Sequence, residues 1–244
     1  MPMAAWGIDT ITERFSPPSG YKRLSAKGFG HYLQTYPLMP KGTEVTDYKN
    51  RPVWHTSAAA VLDLDIGHKN LQQCADTIIR LYADYTRQQG AEKSLSFKFT
   101  SGQIYRYQDF LDGLTPKPSG NTVIFSQKPP RENTDKNYRR YLDYIFTYVG
   151  TASLARDLKK IPVSQAKVGD LFINPGFPGH ATVIADMVIN TKGDKKIMMI
   201  QGFMPAQSAH IVKSLTGDVW FDLGGPLTSQ LFTFKGHYVY RFNR

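Results

Sequence analysis

With 244 residues, 41% of them hydrophobic and 13% aromatic, the chain holds too much packing material to be disordered and enough to bury one core. Lys and Arg outnumber Asp and Glu by 30 to 20, a net charge of +10, but the excess is spread from Lys22 to Arg244 without a dense block, which favours a plain basic surface over a nucleic-acid patch. A single cysteine excludes an internal disulfide, and no run approaches the roughly 20 apolar residues of a membrane-spanning helix.

Residues 1–57 are broken by Pro17, Pro18, Gly20, Pro37, Pro40, Gly42 and Pro52, and read as a lead-in of short strands and loops packed on a main body, 58–244, the two forming one compact unit. The start MPMAAWG has neither a basic n-region nor an apolar h-region, so the sequence is read either as cytosolic or as one from which a targeting segment has been removed. Val61, Leu62, Leu64 and Ile66 predict a buried strand over 58–67 that ends at Gly67. Asn70 is the expected N-cap of a helix in which Leu71, Cys74, Ala75, Ile78, Tyr82 and Tyr85 recur at helical spacing as far as Gly90.

Residues 95–125 read as strand and loop, with breaks at Gly102, Gly113, Pro116, Pro118 and Gly120. Tyr138, Tyr141, Leu142, Ile145, Tyr148 and Val149 form a helical stripe, and 153–160 a second short helix before Pro162. From Val168 the pattern turns to strands: VGDLFI, HATVIADMVI, a polar turn over 190–194, and KIMMIQGF. Helices followed by an antiparallel sheet is an α+β order, not a βαβ alternation.

A nucleophilic cysteine needs a lowered pKa and a base for its proton; a helix N-terminus and a nearby imidazole supply them. Cys74 lies at the start of its helix, and His180 opens a strand directly after Pro178 and Gly179, where its ring can project toward a neighbouring helix. An unpaired cysteine on an apolar face is equally an ordinary small core residue. Strand alternation puts Asp186 on the face of His180 but roughly 20 Å along the strand, too far to hold the ring. A hairpin loop over 190–193 pairs Ile189 with Asp194 and Gln201 with Thr182, placing Gln201 diagonally about 7–8 Å from His180. A loop longer by one residue would turn Gln201 to the other face, and Gln207 is the reserve candidate. Gln72 and Gln73 are candidates for oxyanion binding beside the Cys74 N–H.

His31, His55, His68, His210 and His237 show no metal-ligand spacing, and no glycine-rich phosphate loop is present, so neither a metal nor a cofactor is expected. Asp63 and Asp65 lack the later ligands of a calcium loop and are expected to cap or pair. Phe97, Phe99, Tyr105 and Tyr107 fit core packing, with a glycan- or peptide-binding groove as the alternative.

The stretches LQQCADTIIRLYADY, VGDLFINPGFPGHATVIADM and IMMIQGFM resemble papain-like cysteine peptidases, more closely the NlpC-type cell-wall peptidases and amidases. That resemblance implies Cys74 as nucleophile, His180 as base and Gln201 as the polar residue that orients the imidazole. LQQCAD, GTASL, GHATVIAD and QGFMPAQ also resemble a family of bacterial domains of unknown function, largely from extracytoplasmic proteins, over most of residues 20–244. Around the cysteine, Gln73-Cys74-Ala75-Asp76 stands where an NlpC-type enzyme has Asp-Cys-Ser-Gly. Two functions follow: a cysteine hydrolase of an amide bond in cell-wall peptide, in the periplasm or cell envelope, or an inactive module on the same fold that holds a glycan or peptide.

Overall fold

The computed structural model describes residues 9–54 and 58–242. Six helices are present among them: α1 (Ile11–Arg14), α2 (Phe29–Gln34), α3 (Cys74–Gln88), α4 (Tyr107–Leu111), α5 (Asp135–Tyr148) and α6 (Thr151–Asp157). The strands are β1 (Tyr21–Arg23), β2 (Ala58–Val61), β3 (Ser96–Lys98), β4 (Ile104–Arg106), β5 (Leu114–Ser119), β6 (Thr122–Gln127), β7 (Lys159–Pro162), β8 (Leu171–Asn174), β9 (His180–Asn190) and β10 (Lys195–Gln201), followed by β11 (His210–Val212), β12 (Phe221–Asp222), β13 (Leu227–Thr228), β14 (Thr233–Phe234) and β15 (Tyr238–Arg241). The architecture is mixed α+β. Its main sheet runs β2-β11-β10-β9-β8-β15-β7, with β1 added to β9 and β12 to β10, and every pairing is antiparallel.

The long strand β9 is buried along most of its length because both of its faces carry a core. On one face Ala181, Val183 and Ala185 join Ile200 and Met198 under α3, whose Ala75, Ile78, Ile79 and Leu81 point down, and under α5 with Tyr141, Leu142 and Ile145. On the other, Ile184, Met187, Ile197 and Met199 pack against Phe172, Phe221, Leu227 and Phe234. Each fully buried Ile or Leu contributes about 1.5–3 kcal/mol.

Helix α3 starts three residues later than its capping signal suggests. Gln73, not Asn70, is the N-cap: it is extended, and its own N–H is held by the Asp76 carboxylate at 3.1 Å. Asn70 is used otherwise, its Oδ1 accepting from the Ala206 N–H at 2.8 Å and so tying this loop to the segment after β10. The helix closes with Gly90 at φ +68, where the Gly90 N–H reaches the Arg87 carbonyl and the Ala91 N–H the Thr86 carbonyl, the paired bonds of a left-handed glycine stop.

Other local expectations shift for identifiable reasons. The strand expected over 58–67 pairs regularly only as far as Val61; past it, Leu62 makes a single bridge to Leu38, and the Asp65 side chain turns the chain by accepting from the Gly67 N–H. A helix, α4, stands inside the segment expected to be strand and loop. The short helix expected over 153–160 is α6, stopped at Asp157 because the next residues pair with β15 as β7. Phe97, Phe99, Tyr105 and Tyr107 are buried in the core with α5. His55 lies outside the described residues. No helix among the described residues is long and apolar enough to cross a membrane.

The register of β9 and β10 contains two compensating shifts. Lys195 pairs with Ile189, so the hairpin turn is one residue longer than expected, and this offset holds to Met198 opposite Asp186. Between Met198 and Met199 a bulge skips Ala185, after which Met199 faces Ile184 and Ile200 faces Val183. The first shift would turn Gln201 away from His180; the bulge returns it.

Candidate active site at the end of the central strands

Three polar side chains meet where β9 begins and β10 ends. His180 Nε2 lies 2.9 Å from Gln201 Oε1, Gln201 Nε2 lies 2.8 Å from His210 Nε2, and His210 Nδ1 lies 2.9 Å from the Ser208 carbonyl. Gln201 and His210 are also direct partners in the β10–β11 pairing. All three are buried, and the His180 ring is walled by Phe203, Phe232 and Phe234 with ring centres 5.1, 4.4 and 5.9 Å away. Burial therefore pushes both imidazoles down to about 4; for His180 the Gln201 bond opposes the fall and His210 adds to it, and for His210 the Ser208 carbonyl opposes it.

Cys74 comes to the same place from the other side. It is the first residue of α3, and backbone N–H groups, that of Ala181 foremost, then those of Ala75 and Cys74 itself, lie near enough to favour its thiolate. Ala181, next to His180 in the chain, packs on the α3 side of the sheet, whereas the His180 ring lies against Phe232 and Phe234. Among the described residues Cys74 and His180 share no hydrogen bond. Burial, and after it the charge of Asp76, push the thiol above its ordinary value, the backbone N–H groups opposing. Thiol and imidazole are therefore both neutral at rest, and with Cys74 6% and His180 7% exposed, neither is open to a bulky reagent.

Two glycines bring these elements together. A Cβ on Gly202 would sit 2.2 Å from Thr77 Oγ1 and 3.0 Å from the Gln73 carbonyl, so only glycine lets the end of β10 lie against the first turn of α3. A Cβ on Gly179 would sit 2.1 Å from Thr151 Oγ1 and 2.6 Å from the Gly176 carbonyl, which fixes the loop entering His180 on the start of α6. Both connections carry an apolar side chain into solvent: Phe177, fully exposed, before His180, and Met204 after Gln201.

The remaining candidates are engaged elsewhere. Gln207 is buried and bridges to Asp47 through its backbone, but its side chain makes no bond to His180. Gln72 turns into the protein, its Oε1 3.1 Å from an Arg139 nitrogen, and Gln73 Nε2 reaches Asn70 Oδ1 at 3.3 Å, so neither amide is aimed at the thiol. Asp186 is held by Arg23 and Gln34, each at 2.7 Å. Among the described residues no cluster of three or more His, Cys, Asp or Glu could hold a metal ion. His210 was not singled out by the sequence beyond the metal-spacing test; the signal that marks it is its alternation with Ile211 and Val212 on a short strand, legible only once its pairing with β10 is known.

A further cleft lies elsewhere. About 640 Å3 in volume, it opens at the far end of α3, lined by the rings of Phe29, Tyr82, Tyr85 and Phe242 and by Lys27, Lys167 and Lys195, and it includes neither Cys74 nor His180. None of these three ammonium groups makes an ion pair with a described residue. Comparison with curated proteins and with solved structures gives no match to the chain. One family does match it, over residues 11–241, and by that match the chain belongs to the family described as domain of unknown function (4846).

Proposed function

We propose that this chain is a cysteine hydrolase of amide bonds with a papain-like, NlpC-type arrangement of Cys74, His180 and Gln201, acting on cell-wall peptide outside the cytoplasm. One observation carries the proposal. Gln201 occupies His180 Nε2, which leaves Nδ1, the ring nitrogen nearer the main chain, as the free one, and the N–H of the next residue, Ala181, acts on the Cys74 thiol. A neutral pair of this kind works by general-base attack, in which His180 Nδ1 takes the thiol proton as sulfur bonds to the carbonyl carbon of the substrate. The imidazolium then returns that proton to the leaving amine, and water hydrolyses the thioester. Backbone N–H groups at the start of α3 and at Ala181 are the donors for the developing oxyanion and thiolate. Phe177 and Met204 form an apolar rim on the two connections that flank the site, and they are the surface on which substrate docks. The cell-wall substrate and the envelope location rest on the family resemblance alone.

The test is release of new amino groups from purified peptidoglycan stem peptides. Hydrolysis should vanish in Cys74→Ala, fall by at least about 100-fold in His180→Ala, where the base is lost, and fall by roughly five-fold in Gln201→Ala, where one orienting hydrogen bond is lost. Equal turnover in wild type and Cys74→Ala refutes the assignment.

A second reading, a binding module, is favoured by the cleft between α2 and the end of α3. Its aromatic wall and three unpaired lysines suit a peptide or glycan that carries carboxylates. If wild type cleaves nothing yet binds acidic stem peptide, and Lys27→Ala with Lys195→Ala abolishes that binding, the module reading replaces the enzyme.

A further inference from the structure

The geometry points to His210 as a positioning residue that sets the proton of His180 through the Gln201 amide. An amide is ambiguous by itself: Gln201 can present its oxygen to His180, leaving Nδ1 bare and basic, or its nitrogen, which would put the proton on Nδ1 and remove the base. The far end of the network resolves this. The Ser208 carbonyl can only accept, so His210 Nδ1, 2.9 Å away, carries a hydrogen. His210 is fully buried and has no carboxylate among its partners, so it is neutral and its Nε2 is bare. A bare nitrogen accepts, so the Gln201 group 2.8 Å from it is the NH2 and the oxygen faces His180. Oxygen also only accepts; His180 therefore holds its hydrogen on Nε2 and leaves Nδ1 free. One fixed carbonyl, two residues before His210 in the chain, thus dictates the tautomer of a ring three hydrogen bonds away.

This inference deepens the hydrolase proposal, yet its readout is independent of turnover. Histidine 15N resonances of the labelled full chain distinguish a bare ring nitrogen from a protonated one. In the wild type, His210 should show a protonated Nδ1 and a bare Nε2, and His180 the reverse; a protonated Nδ1 on His180, or Nε2 on His210, overturns the inference without any variant. His210→Leu removes the acceptor and should let a protonated Nδ1 population appear on His180, with a roughly five-fold fall in peptide hydrolysis. His210→Gln, whose side-chain oxygen can stand near the position of Nε2, should restore both. A His180 tautomer unchanged in His210→Leu refutes the relay. A relay that behaves as described beside a chain that hydrolyses nothing refutes the hydrolase instead.

Discussion

Replacing Gly202 by alanine tests how tightly the site depends on the seam between β10 and α3. The added carbon would lie 2.2 Å from Thr77 Oγ1, 3.1 Å from Thr77 Cβ and 3.0 Å from the Gln73 carbonyl, where ordinary contact needs 3.4–4 Å. Relief through Thr77 is limited, since a change between its two helical rotamers moves Oγ1 but not Cβ, and the Gln73 carbonyl is backbone. The first turn of α3 must therefore move by about 1 Å or the end of β10 must lift, an overpacking cost of about 1–3 kcal/mol. Urea denaturation should show that loss. Thr77→Ala alone should cost little, because Thr77 Oγ1 is buried without a hydrogen-bond partner. In the Gly202→Ala background it should recover about half of the loss, leaving the clash with Gln73. The displaced turn should also draw the thiol from the Ala181 N–H and speed its alkylation. A Gly202→Ala protein within about 0.5 kcal/mol of wild type, with alkylation unchanged, would refute the claim that this close approach sets the position of Cys74.

Asp76 is pushed well above the ordinary carboxylate range, by burial first, with the Gln73 N–H opposing. A raised folded value stabilises below the unfolded pKa and is lost as pH rises, so Asp76→Asn should raise the urea midpoint at pH 8 and leave it nearly unchanged at pH 3.5; it should also move Cys74 alkylation to lower pH by removing the charge beside the thiol. His180 and His210 have the opposite sign: pushed from 6.5 down to about 4, they leave stability intact above pH 6.5 and remove on the order of 3 kcal/mol each as pH falls toward 4, and His210→Gln should halve that slope in acid titration of the urea midpoint. Iodoacetamide should label native wild type slowly through pH 5–8 and faster only above about pH 9; a plateau of fast labelling near pH 6 would establish a standing thiolate–imidazolium pair and refute the neutral one. Asp186→Asn should cost about 2–3 kcal/mol by breaking the bond to Arg23, which is 23% exposed and so partly repaid by water, while alkylation of Cys74 stays as in wild type.

Much of this was legible in the residues. The stripe through Ala75, Ile78 and Tyr82 marks α3, and β-branched runs after Val168 mark the sheet, because both periods follow from which face is buried. Helix α4 escapes such reading: five residues are too few to establish a period, and Pro116, Gly113 and Gly102 around it speak for loop. The N-cap moved from Asn70 to Gln73 because Asp76 supplies the capping carboxylate from inside the helix, which frees Asn70 to hold Ala206 across the chain.

Gln201 shows a subtler limit. Its place beside His180 follows from a four-residue hairpin loop in the sequence reasoning and from a longer turn plus a bulge at Met198 in the structure. Two departures cancel, and no local pattern in KIMMIQ announces the bulge. His210 is the element that pattern reasoning could least supply. Its contact with Gln201 spans an irregular segment, 202–209, whose path is set by tertiary anchors such as the Ala206 bond to Asn70 and the Asp47–Gln207 bridge.

The depth at which the only sulfhydryl sits also governs how the chain handles oxidants. Disulfide exchange and peroxide oxidation proceed through the thiolate, and a group that is 6% exposed, with its pKa pushed up, presents little of it. Folded chains should therefore resist covalent dimerisation through Cys74 and keep it reduced in air. A second cysteine placed on an exposed position could then be coupled to a spectroscopic dye in native protein while Cys74 stays unlabelled, with unfolding as the event that makes the two equivalent.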